Sequence, residues 1–378
     1  MAKLLNAQRV VFLSHSAELA GAEILMLRLL SEPMFDDVKV LLFSHGELCE
    51  KFAALGISAS VIETKSLHDF RRNGSAFSAL SKIRPMVATA KNLSSHLRSG
   101  DLLIASSQKA FVLGCLVKMF RKDVGPLIWW LHDILTKEHF SSTNLRTVVL
   151  LSKLFASKVI CTSEEVRSAY GAAGGKRSKA SVVEPGIDLR IFTAEHEASR
   201  KRTKTAISLS RISPWKGQRN FLDALALLPD ANGLIVGAPL FGEQDYFEDL
   251  KKHASSLGLD DRVTFMGHRD DVAEVLRSAT VFVHVPDAPE PFGQVVIEAM
   301  ACGLPVVVSN EGAPGRICSG GGGILVPPNN PSRLAEAINK VMSKPDYRGE
   351  LARKAKTISA KYDAASMRRN FLRALNEV

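Results

Sequence analysis

The sequence predicts an α/β protein built on two parallel sheets, each with helices on both faces. Short β-rich segments alternate with amphipathic segments along almost the whole chain, and this alternation is typical of parallel strands joined by crossover helices. The 378 residues are enough for two domains of ordinary size, each with its own core. A hydrophobic content of 46% beside 23% charged residues is that of a globular protein.

Twelve segments are the candidate strands, six in each half of the chain. They are RVVFLS, VKVLLF, DLLIAS, LIWWL, KVICT and SVVE, followed by KTAISLS, GLIVG, RVTFM, TVFVHV, LPVVVS and GILV. The segments between them repeat apolar residues at helical spacing, as at 22–30, 221–228, 271–277 and 331–342. The order of strands and helices therefore predicts two successive doubly wound units.

The boundary between the two units is expected near residue 187. The sequence PGID at 185–188 is typical of a turn, and a polar stretch follows at 193–204. In doubly wound sheets, ligands bind outside the carboxyl ends of the strands. Two such sheets are therefore expected to face each other across a ligand-binding cleft.

The basic excess of the chain is concentrated in its first half. Residues 1–190 carry 25 Lys and Arg against 17 Asp and Glu, whereas residues 191–378 carry 24 against 22. A basic half favours an anionic partner, which could be a phosphorylated acceptor, a membrane surface or nucleic acid. Solvated surface charge without a partner is the alternative.

The cysteines and the N-terminus indicate a protein of the cytoplasm. The five cysteines are scattered without a C-x-x-C pair, so they are expected to be small buried side chains in a reducing compartment. The first residues lack a signal-peptide pattern, and no apolar run approaches the roughly 20 residues that span a bilayer. No histidine cluster has metal-ligand spacing, so no metal site is predicted, and no other cofactor is expected.

The stretch from Pro289 to Pro314, PEPFGQVVIEAMACGLPVVVSNEGAP, is the most informative in the chain. Residues 291–293 favour a tight turn, so a helix is predicted to begin near Gln294, beside Glu290. The unpaired N–H groups and the positive dipole end of such a helix favour a phosphate. Glu298, one turn further in, can accept hydrogen bonds from vicinal hydroxyls such as those of a ribose. The pattern indicates a nucleotide sugar.

These residues resemble the signature of family 4 of the retaining glycosyltransferases. The resemblance rests on EPFG at 290–293, on the second acid Glu298 and on ACGLPVV at 301–307, and an ordinary buried helix with two incidental acids is the alternative. It implies a GT-B fold, with two Rossmann-like, doubly wound domains facing a cleft. The N-terminal acceptor-binding domain would span 1–187 and the C-terminal nucleotide-sugar-binding domain 188–353, with a terminal helix at 354–378 crossing back to the first.

Two cations agree with the signature. Arg211 and Lys216, in SRISPWKG at 210–217, resemble the family pattern Gly-Arg-Leu-x-x-x-Lys-Gly, with Ser210 in place of the first glycine. They could converge on a diphosphate, the guanidinium as a fork and the ammonium as a point charge. In the family these cations neutralise the leaving nucleoside diphosphate. Two surface charges at a helix start are the alternative.

Gly21 and His132 are the candidate site residues of the first domain. Gly21, in AGAE at 20–23, opens a helix where the family has Gly-Gly-x-Glu and brings backbone amides to the donor phosphate; Ala20 departs from that pattern. His132 follows a predicted strand, and the resemblance assigns it a hydrogen bond to the transferred sugar. A purely structural histidine is the alternative.

The resemblance implies that two further loops lie against the base and the ribose, largely through backbone groups. Gly237 follows one strand of the second domain, and GHR at 267–269 follows another. VGAP at 236–239 replaces the usual Val-Gly-x-Gly, and NEGAPGR at 310–316 places a glycine where the family commonly has an acid. A UDP-sugar is favoured as the donor, and GDP-mannose is the alternative.

The predicted site is thus assembled from both halves of the sequence. The predicted donor-binding residues are Gly21, Arg211, Lys216, Gly237, Gly267, His268, Arg269, Glu290, Pro291, Phe292, Gly293, Gln294 and Glu298, and the predicted catalytic residues are Glu290, His132, Arg211 and Lys216.

A basic amphipathic stretch in the first half concerns the acceptor. Its cations are Arg71, Arg72, Lys82, Arg84, Lys91 and Arg98, and its apolar residues, Phe77, Leu80, Ile83, Val87, Ala90, Leu93 and Leu97, repeat at helical spacing. Such an element could rest on an anionic membrane or bind a lipid diphosphate. A core-facing helix with a solvated basic side is the alternative.

The resemblance implies a retaining enzyme that moves a hexose from a nucleotide diphosphate sugar to a hydroxyl acceptor, which could be lipid-linked. Such an enzyme would act in glycan, glycolipid or polysaccharide synthesis, chiefly by stabilising the charge of the leaving diphosphate. A nucleotide-sugar epimerase of the same architecture is one alternative, and a non-catalytic binder of anionic ligands or nucleic acid is another. Nucleic acid is not expected, because it leaves the spacing of Glu290 and Glu298 unexplained.

Overall fold

The computed structural model describes residues 9–62, 76–137, 140–193 and 204–378. The chain divides into two compact units, one formed by Met1–Gly186 with Ala364–Val378 and the other by Ile187–Asp363. The second unit therefore begins within one residue of the expected boundary.

The strands of the described residues are β1 (Val10–Ser14), β2 (Val38–Leu42), β3 (Ser58–Val61), β4 (Leu102–Ala105), β5 (Leu127–Leu131), β6 (Ala156–Cys161), β7 (Ala180–Val182), β8 (Thr205–Leu209), β9 (Asn232–Val236), β10 (Val263–Gly267), β11 (Val281–His284), β12 (Val306–Ser309) and β13 (Gly323–Val326).

The helices are α1 (Gly21–Leu30), α2 (Glu47–Ala54), α3 (Ala76–Ser95), α4 (Gln108–Phe120), α5 (Ser142–Phe155), α6 (Glu164–Ala172), α7 (Leu189–Thr193), α8 (Gln218–Ala226), α9 (Gln244–Ser256), α10 (Val272–Ser278), α11 (Gln294–Ala301), α12 (Gly312–Cys318), α13 (Pro331–Ser343), α14 (Pro345–Ser359) and α15 (Ala364–Asn376).

The first unit contains a parallel sheet with the strand order β3-β2-β1-β4-β5-β6-β7. Successive side chains of β1 point to opposite faces: Val11 and Leu13 pack in a core with α3 to α6, whereas Val10 and Phe12 pack in a core with α1, α2 and α15. Both faces of the sheet are therefore buried, which accounts for the near-continuous apolar sequences of its central strands.

The second unit contains a parallel sheet with the order β10-β9-β8-β11-β12-β13. Val281 and Val283 of β11 pack in a core with α8, α9 and α13, and Phe282 packs in a core with α7, α10, α11, α12 and α14. The strand order reverses between β8 and β11, and this reversal is the topological switch point at which ligands of such sheets bind.

The twelve predicted strands are all present, and the structure adds β3. This strand, SASV, pairs with β2 at the edge of the first sheet. Its side chains are exposed or half-buried, so it lacks the apolar run by which the other strands were predicted.

The C-terminal segment differs from the prediction of a single helix over 354–378. The helix α14 stays in the second unit, where Ala355 packs in the core beside α11. Only α15 belongs to the first unit, where Phe371 packs edge-on against Trp130 at 4.9 Å between ring centroids. Arg368 forms an ion pair with Glu32 at 3.1 Å. The transition back to the first unit therefore lies at residues 363–364.

None of the described helices is both long enough and apolar enough to cross a bilayer.

Candidate functional site

Three of the predicted charged residues of the second unit, Arg211, Lys216 and Glu290, lie close together at its topological switch point. Arg211 follows β8, and His284 and Glu290 lie at and beyond the end of β11, the neighbouring parallel strand. Because parallel strands end at the same edge of a sheet, residues far apart in sequence come together here.

The loop that carries Lys216 is fixed by a close approach of two backbones. Gly217 has φ +75°, and a Cβ atom at this position would lie 1.9 Å from the carbonyl oxygen of Val285. The amide of Asp287 donates a hydrogen bond to the carbonyl of Trp215 at 2.8 Å. Only glycine fits this approach, so the glycine of the Lys-Gly pair holds the lysine loop against the end of β11.

Lys216, Glu290 and His284 form a buried triad. The ammonium Nζ of Lys216 lies 2.5 Å from Oε2 of Glu290 and 4.0 Å from the centre of the Trp215 ring. Nε2 of His284 is 3.1 Å from the same carboxylate oxygen. The exposed fraction of the side chain is 13% for Lys216, 10% for Glu290 and 2% for His284.

The charges of the triad stabilise one another. Burial alone would raise the pKa of Glu290, but the charge of Lys216 and the hydrogen bond from His284 outweigh burial and hold that pKa well below its usual range. Burial lowers the pKa of Lys216, and Glu290 opposes this change. The lowered pKa keeps Glu290 a carboxylate at neutral pH, and Nζ of Lys216 lies 2.5 Å from one of its oxygens.

Arg211 is held by a second set of groups. Its Nε atom is 3.6 Å from Oε2 of Glu243, and its guanidinium lies 5.1 Å from the centre of the Phe241 ring. The hydroxyl of Ser213 donates a hydrogen bond to Oε1 of Glu243 at 2.7 Å. Phe241 has φ +59°, a strained conformation for an aromatic residue that is common at functional sites.

The predicted turn and helix follow Glu290. Gly293 has φ +77° and precedes α11, which begins at Gln294 as expected. Phe292 is buried and packs edge-on against Tyr362 at 5.7 Å. Glu298 is 5% exposed within α11. The amide N–H groups of the first helical turn are thus next to Glu290 in the chain.

The loops after β9 and β10 lie side by side. The amide of Gly237 donates a hydrogen bond to the carbonyl of Gly267 at 2.8 Å. Arg269 forms a two-pronged ion pair with Asp271, and His268 lies 3.7 Å from a carboxylate oxygen of Asp270. The guanidinium of Arg269 is therefore paired within its own loop.

In the first unit, the predicted residues lie at the carboxyl ends of β1 and β5. Gly21 is the first residue of α1. His132 directly follows β5, its ring is 4.8 Å from that of Trp130, and its buried Nε2 has no hydrogen-bond partner among the described residues. Burial lowers the pKa of His132 to about 4, so the imidazole is neutral at pH 7.

A buried carboxyl group that was not among the predicted site residues lies in the AGAE segment after β1. The hydroxyl of Ser14 donates a hydrogen bond to Oε1 of Glu23 at 3.0 Å. Burial raises the pKa of Glu23 to about 7, and the nearby charge of Asp133 adds to this increase. Glu23 therefore titrates near neutral pH.

Sequence reasoning missed His284 and Glu243. His284 lies in the predicted strand TVFVHV. A polar side chain near the carboxyl end of this otherwise mostly apolar strand was the signal that could have identified it. Glu243 lies 32 residues after Arg211 in a loop of unpredicted conformation, so the sequence carried no signal for their contact.

The basic amphipathic stretch is only partly described. Arg71 and Arg72 lie outside the described residues, as do the side chains of Phe77, Leu80, Lys82 and Ile83. Ala90, Leu93 and Leu97 are buried in the core of the first unit, and Arg98 forms an exposed ion pair with Asp37 at 3.4 Å. The described part thus has a core-facing apolar side.

No cluster of three or more potential metal ligands occurs in the described parts of the chain.

Comparisons with known proteins point to one family. The model of the family described as glycosyl transferases group 1 matches residues 191–358. D-inositol 3-phosphate glycosyltransferase of Mycolicibacterium smegmatis is 33% identical over 196 residues, an alignment that covers 49% of this chain and 45% of that protein. The chain thus spans about half the length of the curated relatives it matches.

Solved structures match nearly the whole length of the chain. Anabaena HepE in complex with UDP and glucose is 30% identical, with a TM-score of 0.86 over 98% of this chain and 100% of that one. The complex of HepE with UDP-glucose is 31% identical with the same TM-score and coverage. WaaG, from lipopolysaccharide biosynthesis, shares the fold at 16% identity and a TM-score of 0.69, covering 95% of this chain and 97% of its own. The predicted GT-B class is confirmed.

Proposed function

The chain belongs to the glycosyl transferases group 1, and from this premise we propose that it transfers a hexose from a UDP-sugar to a hydroxyl acceptor with retention of anomeric configuration. The observation that carries the proposal is the convergence of Arg211, Lys216 and Glu290 at the switch point of the second sheet. Two cations and a carboxylate next to a helix start match the charges and hydroxyls of a sugar diphosphate.

The two cations would stabilise the leaving diphosphate. Arg211 can present two parallel N–H donors to phosphate oxygens, and Lys216 supplies a buried positive charge. The amides at the start of α11 add donors aligned with the helix dipole. Lys216 would turn from Glu290 to the diphosphate when the donor binds, so these donors are in place before further negative charge develops on the diphosphate in the reaction.

The two acids would hold hydroxyl groups of the donor. Glu290 is a carboxylate at neutral pH and accepts hydrogen bonds from the hexose, while Glu298 accepts them from the ribose. Neither is assigned as a nucleophile: the acceptor attacks from the face that the diphosphate leaves, and a donor phosphate oxygen takes the acceptor proton. No metal is assigned a role.

UDP is the proposed nucleotide because of the likeness to HepE. Its structures are described as complexes with UDP and with UDP-glucose, and they align with 98% of this chain. The paired conformation of Arg269 is in keeping with recognition of the base by the backbone of the neighbouring loops. UDP-glucose is therefore the first donor to test.

An acceptor at an anionic membrane is the proposal for the first unit. Four exposed side chains, Met119, Phe120, Leu150 and Leu154, lie on the neighbouring helices α4 and α5. We call them the α4–α5 apolar surface. Neither helix contains Asp or Glu, whereas both contain cations. Apolar side chains among cations are suited to contact with an anionic lipid surface. Pairing of this surface with the same surface of a second copy of the chain would bring positive charges together, which is unfavourable.

Donor binding and turnover test the proposed function separately. Saturation-transfer NMR of the purified chain with UDP-glucose, UDP-galactose, GDP-mannose and ADP-glucose should show binding of a UDP-sugar. Release of UDP in the presence of acceptor should depend on Glu290, so Glu290→Gln should lose more than about 100-fold in turnover and still bind UDP.

The rival functions give different products. An epimerase would convert the UDP-sugar to its epimer without releasing UDP, which NMR of the sugar protons detects directly. A binder would leave the donor unchanged. Turnover of Glu290→Gln within about threefold of wild type would contradict the role given to this carboxylate, and an inverted product anomer would contradict retention.

A further inference from the structure

We propose that His284 is a positioning residue, which keeps the carboxylate of Glu290 oriented and ionised when Lys216 turns toward the donor diphosphate. The inference rests on the proposed function and adds a residue to its site. His284 itself is not assigned a contact with the donor.

His284 is fixed more firmly than the lysine with which it shares Glu290. It is the last residue of β11, its side chain is 2% exposed, and its ring stacks on Phe282 with 6.3 Å between centroids and 11° between planes. Its Nε2 atom lies 3.1 Å from Oε2 of Glu290. An imidazole anchored in a sheet cannot follow a ligand, so its hydrogen bond to Glu290 persists.

Lys216 has two competing roles. Its ammonium lies 2.5 Å from Oε2 of Glu290, and in the proposed reaction the same ammonium is attracted by the diphosphate. A flexible four-carbon stem allows it to redistribute between the two anions. When it moves, Glu290, whose side chain is 10% exposed, loses its main counter-charge, and a buried carboxylate without a partner is strongly unfavourable.

A donated hydrogen bond from His284 offsets this loss. Among the described residues, Arg211 and Glu243 also act on the charge of Lys216, and they do so in opposite directions. These two residues pair with each other, with Nε of Arg211 3.6 Å from Oε2 of Glu243. Nε2–H of His284 is thus the donor that stays with the carboxylate, and it keeps Glu290 an acceptor for sugar hydroxyls.

Loss of the hydrogen bond from His284 should change the pH dependence of turnover. The hydrogen bond from His284 lowers the pKa of Glu290 together with Lys216. Removing it makes the ionised form less favourable and raises this pKa. Since the carboxylate is the active form, the acid limb of kcat/KM should move to higher pH in a variant without the donor.

The test compares His284→Phe with His284→Gln. Phenylalanine keeps a ring beside Phe282 and lacks the donor, whereas the amide nitrogen of glutamine can occupy the place of Nε2. With UDP-glucose as donor we expect His284→Phe to lose about 10- to 100-fold in kcat, while its Kd for UDP by calorimetry stays within about threefold. His284→Gln should recover at least half of the loss on a logarithmic scale, with an acid limb near that of wild type.

A second measurement does not depend on turnover. The carboxyl carbon signal of Glu290, assigned by its loss in Glu290→Gln, can be titrated in the UDP complex. We expect a higher pKa in His284→Phe than in wild type. Equal pKa values, or a parallel fall of kcat and UDP affinity, would overturn the positioning role. Absence of transfer by wild type with every donor would instead overturn the proposed function, and the titration would still report on His284.

Discussion

Lys216 is the residue at which most of the site's electrostatics converge. Its ammonium lies between the carboxylate of Glu290 and the ring of Trp215, and the close approach at Gly217 fixes the loop that carries it. A cation held in this way is largely desolvated before a ligand arrives. It should therefore contribute more to phosphate binding than a solvated lysine does.

We expect Lys216→Gln and Arg211→Gln each to weaken binding of UDP. Each change removes a charge-assisted contact worth about 1.5–3 kcal/mol, which corresponds to about 10- to 150-fold in Kd. Glutamine is preferred to alanine because its amide can still donate to Glu290 or Glu243. Isothermal calorimetry with UDP measures the effect.

The matched control is Lys340→Gln. The Lys340 ammonium lies 4.3 Å from the centre of the Tyr347 ring. It therefore has the same kind of aromatic contact as Lys216, and it forms no ion pair with a carboxylate of the described residues. Its substitution should leave the Kd for UDP unchanged. Unchanged affinity in both site variants would place the diphosphate elsewhere.

Glu23 predicts a pH dependence of stability. Burial raises its pKa from 4.5 to about 7 in the folded chain, so between these values the unfolded chain loses this proton and the folded chain retains it. Stability should therefore fall as pH rises from about 5 to 8, by at most roughly 3 kcal/mol. Denaturant unfolding of the first unit, followed by fluorescence, measures it.

The control for this prediction is Glu23→Gln, which is neutral throughout the range and keeps the hydrogen-bonding shape. The variant should lose most of the decrease in stability between pH 5 and pH 8. Equal slopes of stability against pH in the two proteins would show that another group carries the dependence.

The site residues that could be predicted from the sequence are those that belong to local patterns. Arg211, Lys216 and Glu290 belong to recognisable short motifs, so their proximity could be expected. Whether the side chains of His284 and Glu243 face the site depends on the orientation of a strand end and of a loop. Packing against residues distant in sequence decides that orientation. Residues that orient a site residue are therefore harder to predict from sequence than the site residue itself.

At the scale of elements, apolar content decided which strands were predictable. The buried strands of both sheets carry runs of branched apolar residues, and all of these were expected. The edge strand β3 is built from small and polar residues, so its pairing with β2 left no apolar signal. The prediction of one terminal helix was wrong because this segment contains two helices, α14 and α15, which bury their apolar side chains in different units.

The helix α15 should contribute substantially to the stability of the first unit. Phe371 is fully buried and packs against Trp130. Phe371→Ala removes a large side chain from the core, which typically costs about 3–5 kcal/mol. The unfolding transition of the first unit, reported by Trp129 and Trp130, should shift accordingly, while that of the second unit, reported by Trp215, should not.

Leu372→Ala is the neighbouring control, since Leu372 is only half-buried. It should shift the first transition by much less than Phe371→Ala. If the two changes have equal effects, or if the transition of the second unit shifts instead, the assignment of α15 to the core of the first unit is wrong.

At the scale of the whole molecule, the distribution of charge and of exposed apolar side chains bears on where the acceptor is met. The basic excess lies in the first half of the sequence, and so does the α4–α5 apolar surface. Met119, Phe120, Leu150 and Leu154 are 56%, 48%, 56% and 66% exposed. Cations attract an anionic bilayer over about 8 Å at physiological ionic strength, and apolar side chains add binding once they reach the headgroups.

We expect the protein to co-sediment with anionic vesicles of phosphatidylglycerol and phosphatidylcholine, and much less with phosphatidylcholine alone. Serine at Leu150 and Leu154, or at Met119 and Phe120, should reduce binding by removing apolar contacts, and higher salt should reduce it by screening the cations. Leu227→Ser, at a 54% exposed position of the second unit, is the matched control and should bind as wild type. Equal recovery in the supernatant with both vesicle types would favour a water-soluble acceptor instead, and concentration-dependent dimers abolished by the same serine variants would assign the surface to a second copy of the chain.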